Sequence, residues 1–179
     1  MKFTSLAFLV VAVFVTGCTR PAPEHSINYA PSSTMIVNGT AFIGDFVYNP
    51  GQRDPEIALN QVENTASGAF KFDRNVDKVF EAAVFNESRL VGIDIDPDAN
   101  VISGEINRFF VDDLGFDVDW TLNVRYVVSE PGGTQCYNRI MIVERNTPKF
   151  GNVFGTLNEI IKANIEMAFS DPNFVQCIN

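Results

Sequence analysis

Apolar and polar side chains alternate most regularly in residues 117–129, in the second half of the chain. Six apolar side chains would share one face of this stretch: Val118, Trp120, Leu122, Val124, Tyr126 and Val128. A period of two residues is typical of a strand with one buried and one solvated face. The pattern therefore predicts a strand whose apolar face is covered by the rest of the domain.

Further strands are predicted on both sides of this stretch. Residues 101–111 and 135–144 would flank it, because residues 112–116 and the Pro-Gly-Gly at 131–133 supply turns. Residues 34–48 are rich in β-branched and aromatic side chains and predict an earlier strand. Residues 68–72 predict a short one, whereas residues 52–67 are polar and lack a clear pattern.

Two segments show helical spacing instead. The first carries its apolar residues at Val76, Val79, Phe80, Ala83, Val84, Leu90 and Val91, and the second at Leu157, Ile160, Ile161, Ile165, Ala168 and Phe169. Gly92 would end the first helix, and Asp171-Pro172 would end the second. Together the elements predict an α+β fold: a mainly antiparallel sheet of about five strands with two helices packed on one face.

The amino terminus carries a different signal. Lys2 precedes ten consecutive apolar residues at positions 6–15, which cover only about half of a ~30 Å hydrocarbon core. This run is therefore too short for a membrane-spanning helix and predicts a signal peptide over residues 1–17.

The end of the run, Val15-Thr16-Gly17-Cys18, resembles the lipobox of bacterial lipoproteins. The resemblance implies that Cys18 becomes the mature amino terminus and carries acyl chains such as palmitate, which would anchor the protein durably. Thr19 in place of Asp implies sorting to the periplasmic face of the outer membrane, with the inner membrane as an alternative. The opposing interpretation makes Cys18 an incidental residue after an ordinary cleavage site.

Residues 18–33 contain three prolines and no apolar period, and predict a flexible tether behind the acylated cysteine. His25, the single histidine, would be a solvated linker residue. Residues 34–179 would then form a single periplasmic domain, as the length of 179 residues allows.

Composition limits the function classes. A formal net charge of −9 disfavours nucleic-acid binding, which depends on neutralising phosphates. One histidine, three cysteines and no glycine-rich phosphate loop leave little catalytic material, so we expect neither an enzyme nor a cofactor.

Two cysteines remain once Cys18 is assigned to lipid. In an oxidising compartment the even pair Cys136 and Cys177 predicts a disulfide that ties the last long strand to the tail behind the second helix. The alternative is a pair of free thiols, one of them nucleophilic, but no histidine is nearby in the sequence to lower its pKa.

Two acidic clusters are candidate sites. Oxygen-bearing side chains occur at the spacing of a calcium loop at Asp94, Asp96, Asp98, Asn100 and Glu105. Ala99 stands where that loop needs glycine, so a solvated acidic loop is the favoured interpretation and no metal is expected. The second cluster is expected to be ordinary surface carboxylates, some of them neutralised by Arg108 and Arg125: Asp112, Asp113, Asp117 and Asp119.

Strand alternation also makes a prediction for two phenylalanines. If Phe110 shares the buried face with Ile102 and Ile106, Phe109 emerges on the solvated face. There it could form part of an apolar groove for a partner or lipid.

The stretches KVFEAAVFNESRLVGI at 78–93 and NVISGEINRFFVDDLGFDVDWTLNVRYVV at 100–128 resemble the YajG-like lipoproteins and the auxiliary lipoproteins of ABC-type transport systems. The resemblance implies a non-enzymatic accessory protein of the cell envelope that binds a protein partner or a lipid during envelope assembly or lipid transport. Alternatives are a structural lipoprotein of a surface appendage and a metal-dependent hydrolase that uses the acidic clusters.

Overall fold

The computed structural model describes residues 24–65, 70–149 and 151–179. Its strands are β1 (Glu24–His25), β2 (Gly39–Tyr48), β3 (Gln61–Asn64), β4 (Phe70–Phe72), β5 (Ile93–Ile95), β6 (Val101–Asp112), β7 (Asp117–Ser129) and β8 (Gln135–Pro148). Its helices are α1 (Asn49–Arg53), α2 (Val76–Leu90), α3 (Val153–Phe169) and α4 (Pro172–Cys177). None of the helices in these ranges is long and apolar enough to cross a bilayer. The predicted signal peptide and Cys18 lie outside the described residues.

The predicted five-stranded antiparallel sheet with two helices is wrong. The described residues form one mixed sheet of eight strands, accompanied by four helices. β6 is its centre: β7 and then β8 follow antiparallel on one side, while on the other side β2 pairs with its first half and β3 with its last residues, both parallel. β5 adds to β2 in parallel, and β4 and β1 extend the sheet beyond β3.

The three longer helices α2, α3 and α4 all pack on one face of this sheet. Phe80 of α2 packs against Phe46 and Tyr126, and Phe174 of α4 packs edge-on against Tyr137 of β8. The predicted alternation of β7 is confirmed, because each of its six apolar side chains is buried on this helix-covered face. The opposite face carries residues such as Arg125 and Ile140, and within the described ranges no long helix covers it.

The expected position of Phe109 is wrong. Phe109 is 1% exposed and lies on the helix-covered face, while Phe110 is half-buried on the opposite face. The reason is a bulge: the register with β7 shifts between Ile106 and Arg108, so Asn107 is an extra residue. One inserted residue exchanges the two faces for all that follows.

Residues 24–33, which the sequence places in a flexible tether, pack against the domain. β1 pairs with β4, and Ile27 is 5% exposed within the core. Tyr29 donates a hydrogen bond to Glu87 of α2 at 2.5 Å, and the N–H groups of Ser32 and Ser33 donate to the same carboxylate at 3.1 and 3.2 Å. The described part of this segment is therefore attached to α2 as well as to the sheet edge.

Candidate functional site

The sheet face opposite the helices is an open surface of the described chain that carries exposed apolar side chains. Its apolar centre is formed by Ile140 and Ile142 of β8, each 48% exposed. Their cross-strand neighbours on β7 are Arg125 and Asn123, in that order. The surface therefore combines apolar area with polar side chains, as protein-binding surfaces commonly do.

Charged groups on this face are only partly paired. The Nε atom of Arg125 lies 4.0 Å from the carboxylate of Glu105 and has no hydrogen-bond partner among the residues that the structure describes. The Arg108 guanidinium lies over the ring of Phe110, 4.4 Å from its centre. The unsatisfied Nε atom is itself buried, so the accessible polar groups of this face are the outer guanidinium nitrogens and the neighbouring side chains.

The same surface ends at an open strand edge. β8 contains 14 residues and, within the described ranges, pairs only with β7. Its outer row of backbone N–H and C=O groups is therefore available to an added strand, which is a common way to recognise an extended peptide.

A shallow groove of about 650 Å³ lies between β2 and α2. Phe42 and Phe85 supply apolar walls, while Lys78 donates to Glu81 at 2.7 Å and lies 3.6 Å from Asp45. Lys78, the one cation among the described residues that line it, is shared by two carboxylates, so the groove keeps a net negative charge and offers no free cation for an anionic ligand.

The residues of the predicted acidic calcium loop do not converge. Asp94 belongs to β5, and Asp96 accepts a hydrogen bond from the Asp98 N–H at 2.9 Å. The side chain of Asn100 donates to the Cys177 carbonyl at 2.7 Å, and Glu105 faces Arg125. Within the described residues, no three His, Cys, Asp or Glu side chains are arranged to hold a metal ion.

The four aspartates of the β6–β7 hairpin lie near its tip. Asp112 and Asp119 are directly opposite each other, but each has a separate polar partner. Asp112 accepts from the Thr65 hydroxyl at 2.7 Å, and this bond, together with one from the Leu114 N–H, lowers the pKa of Asp112. Asp119 accepts from the side-chain amide of Asn146 at 2.7 Å. Asp117 and Asp113 adjoin the turn, at the surface. The four carboxyl groups do not share a cleft.

The predicted cysteine pair lies together. Cys136 of β8 and Cys177 at the end of α4 have Cα atoms 5.9 Å apart, and their sulfur atoms are at disulfide distance. The pair connects the start of β8 with the end of α4, away from the hairpin tip.

His25 lies in an aromatic cluster rather than in a solvated linker. Its ring stacks on Phe70 of β4 and meets the edge of Phe154 of α3, with ring centres 5.5 Å apart in both cases. These contacts hold the amino-terminal segment near the start of α3.

Sequence reasoning missed Glu87, which is 0% exposed. Its three donors come from Tyr29, Ser32 and Ser33, and the Ser33 hydroxyl also donates to Glu166 of α3 at 2.7 Å. A signal was present, because Glu87 falls four residues after Ala83 on the apolar side of the predicted helix. A carboxylate at such a position needs buried donors. Its donors here are structural, and they serve to hold the amino-terminal segment.

No protein-family model matches the sequence, and no curated protein is significantly similar to it. The crystal structure of protein XCC0632 from Xanthomonas campestris, described by the family model DUF330, has a TM-score of 0.57 at 9% identity and covers 83% of this chain and 91% of that one. The hypothetical protein CT253 from Chlamydia trachomatis has a TM-score of 0.55 at 10% identity, covering 79% and 99%. At such low identities these similarities show a shared fold and nothing about activity.

Proposed function

We propose that the chain is a bacterial lipoprotein whose domain acts as a non-enzymatic accessory module of the cell envelope. In this proposal Cys18 carries the lipid, and the domain binds an envelope protein on the periplasmic side of the outer membrane. The observation that carries the binding role is the open sheet face that ends at the unpaired edge of β8, with Ile140 and Ile142 exposed on it.

The membrane attachment is supported by the amino-terminal sequence. An apolar run of ten residues leads into small residues and Cys18, which is the order that lipoprotein processing requires. Two or three acyl chains would hold the domain at the bilayer permanently, since each buried methylene contributes about 0.8 kcal/mol.

The anchor is tested by mass spectrometry of the mature protein and by labelling with radioactive palmitate in the producing bacterium. We expect acyl mass on Cys18, membrane fractionation, and loss of both in Cys18→Ser. A mature protein with an unmodified thiol that fractionates as freely dissolved material would contradict the proposal.

The binding surface is tested with a photoactivatable amino acid placed at Ile142 in the full-length protein within intact envelopes. The matched control site is Met167 of α3, which is 42% exposed on the helical side of the domain. We expect a discrete heterologous adduct from position 142 and none from position 167. Ile140→Lys should remove that adduct without releasing the protein from the membrane.

Three outcomes of this experiment separate the alternatives. Adducts between two copies of the chain would favour the structural lipoprotein of a surface appendage, because two open β8 edges can pair with each other. Equal adducts from both positions, or none from either, would contradict a binding role for the sheet face. The dispersed carboxylates of the described residues give no shared site, so we do not propose the hydrolase.

A further inference from the structure

The tip of the β6–β7 hairpin carries two strongly exposed apolar side chains. Leu114 is 71% exposed and Phe116 is 95% exposed, whereas the other exposed phenylalanines of the described chain, Phe42, Phe85 and Phe154, are at most 43% exposed. A single exposed apolar residue is common on soluble domains. Two at one tip, separated only by Gly115, form an apolar point that projects from the sheet.

The backbone of this tip is held in place by Lys149, which directly follows β8. The Lys149 N–H donates to the Phe116 carbonyl at 3.2 Å, and its amine donates to the carbonyls of Gly115, at 3.3 Å, and Asp113. These bonds satisfy the carbonyl groups of the turn. The tip therefore presents its apolar side chains while three of its backbone carbonyls already have partners, which lowers the cost of contact with a nonpolar phase.

The strand register shows that the amino-terminal segment enters the sheet from the same end. β3 runs parallel to β6, and Asn64 near its end is opposite Val111 beside the hairpin tip. β4 is antiparallel to β3 and begins at this end, and β1 is parallel to β4, with Glu24 beside Lys71. β1 therefore begins on the side of the sheet end that carries Leu114 and Phe116, and runs away from it.

α3 begins at this end as well. β8 ends beside Asp117, at the base of the hairpin, and α3 follows after a short connection. Phe154 in its first turn is 43% exposed and touches His25 next to the entry of the chain. Three separate segments thus bring apolar side chains or the amino-terminal entry to one end of the molecule.

The distance to the proposed anchor is short. Glu24 is the sixth residue after Cys18, and six residue steps span at most about 20 Å. β1 is three strands away from β6, which corresponds to roughly 15 Å of sheet width. An anchored Cys18 therefore keeps the hairpin tip within reach of the bilayer surface, and its insertion becomes an intramolecular event with a high effective concentration.

We propose that the β6–β7 hairpin tip is a membrane-contacting element, with Leu114 and Phe116 inserted into the interface of the bilayer that holds Cys18. This inference rests on the proposed lipid anchor. The aspartates around the hairpin would repel anionic headgroups, so the fitting surface is zwitterionic. The domain would then stand with its strands directed away from the membrane, and the turn between β7 and β8 would be its far end.

The test uses the full-length acylated protein reconstituted into phosphatidylcholine vesicles. Phe116→Cys is labelled with a polarity-sensitive fluorophore, and Gly132→Cys in the β7–β8 turn is the matched control, since an added side chain there meets nothing within 4 Å. The parent protein measures background labelling of its own cysteines. We expect the label at position 116 to emit at shorter wavelength and to lose emission when nitroxide lipids are added, and the label at position 132 to do neither.

Vesicle flotation in the same samples reports the anchor separately. Protein that floats with the vesicles while the label at position 116 behaves like that at position 132 overturns the insertion and leaves the anchor proposal intact. A shifted label that appears only in native envelopes, and not in pure lipid, also overturns it and indicates a protein partner. Protein that fails to float and lacks acyl mass overturns both proposals.

Discussion

At the scale of single residues, Glu87 accepts three hydrogen bonds from the amino-terminal segment. It is completely buried in α2, and its donors are a hydroxyl and two backbone N–H groups from residues 29–33. Hydrogen bonds to a charged acceptor are stronger than neutral ones. Burial is the main cause, and the hydrogen bond to Glu87 the second, of a pKa of Tyr29 far above its ordinary value, so this phenol remains a donor.

We predict that Glu87→Ala lowers the free energy of unfolding by about 3 kcal/mol, because it leaves buried donors without an acceptor. Glu87→Gln should cost less, since an amide oxygen still accepts. Urea denaturation measures both, with Glu130→Gln at an exposed site as the control. Equal stability of the Ala variant and the control would show that the segment does not depend on this carboxylate.

Glu63 provides a prediction on pH. Burial, aided by the negative charge of Asp54, raises the pKa of Glu63 above its ordinary value against the opposing effects of the Phe109 N–H and Arg108. A raised pKa means that ionisation of Glu63 opposes folding. Its favourable contribution is complete below the unfolded-state pKa of about 4.3 and is lost as the pH rises through the higher folded value.

We therefore expect Glu63→Gln to match the wild type in stability near pH 3.5 and to exceed it at pH 7. Denaturant titrations at a series of pH values measure the difference between the two proteins. The gap should open as the pH rises and then stay constant. A gap that opens in the opposite direction would mean that the ionised carboxylate stabilises the fold.

Trp120 and Phe109 show when the buried face of a strand can be predicted from the sequence and when it cannot. The alternation of β7 extends over the whole strand without interruption, so the buried face of Trp120 and its neighbours was readable. In β6 the same reasoning failed at Phe109, because a bulge at Asn107 depends on tertiary pairing rather than on a local residue preference. Asn107 accepts from the side-chain amide of Asn49, a partner far away in the sequence.

At the scale of secondary-structure elements, Gly104 fixes how closely β6 approaches its neighbours. A Cβ atom at this position would lie 2.6 Å from Cε1 of Phe46 and would also collide with the Arg125 carbonyl. Neither the backbone nor a packed aromatic ring can move far to make room for an added atom. The absence of a side chain here therefore allows β2, β6 and β7 to lie together.

We predict that Gly104→Ala lowers the free energy of unfolding by about 2 kcal/mol through overpacking. Gly132→Ala is the matched control, because its added Cβ would meet nothing within 4 Å. Thermal unfolding followed by circular dichroism compares the two variants. A melting temperature for Gly104→Ala equal to that of the control would show that the strands can separate without cost.

The link between β8 and α4 gives a further prediction. Non-reducing mass spectrometry should find Cys136 joined to Cys177, and the double change to serine should cost about 4 kcal/mol, the chain-entropy value for a separation of 41 residues. Urea denaturation of the double variant and the wild type, each under oxidising conditions, measures this cost. Free thiols in the oxidised wild type would contradict the link.

α4 illustrates how a single sequence signal has two meanings. Asp171-Pro172 was predicted to end the second helix, and α3 does end at Phe169. The same pair begins α4, because the Asp171 side chain accepts from the Asn173 N–H and proline is well suited to the first turn of a helix. Burial would raise the pKa of Asp171, but hydrogen bonds from Asn173 and Tyr137 and the charge of Arg139 lower it. From the sequence alone, an Asp-Pro pair that ends one helix looks the same as an Asp-Pro pair that begins the next.

At the scale of the whole molecule, the sheet has two different ends and two different faces. One end carries the hairpin tip and the amino-terminal entry, and β7, with 13 residues, separates it from the β7–β8 turn by roughly 43 Å. One face is covered by α2, α3 and α4, and the other is open. A domain attached at one end would present the β8 edge sideways, parallel to its long axis.

We predict that Ile140→Lys combined with Ile142→Lys leaves the melting temperature within about 2 °C of the wild type, because surface changes usually alter stability by less than about 0.5 kcal/mol. Differential scanning calorimetry measures this, with Met141→Lys on the buried side of the same strand as a destabilising comparison. A large loss in the double variant would mean that both isoleucines support the fold and are not kept for a partner.

The overall topology was beyond the reach of local sequence patterns. The parallel pairing of β2 with β6 joins segments more than fifty residues apart, with α2 between them. β1 and β5 contain only two and three residues, too few to show any period. Their existence depends on partners that β4 and β2 supply.

The attachment of residues 24–33 determines how the molecule would respond to mechanical load. A pull on the amino end first separates the two-residue strand β1 from β4, and then meets the hydrogen bonds of Tyr29, Ser32 and Ser33 to Glu87. The bond from the Ser33 hydroxyl to Glu166 and the backbone bond from Val37 to Val91 must also break before tension reaches β2 and the centre of the sheet. The segment would thus extend under load before the centre of the sheet is strained, up to a total span of about 33 Å for its ten residues.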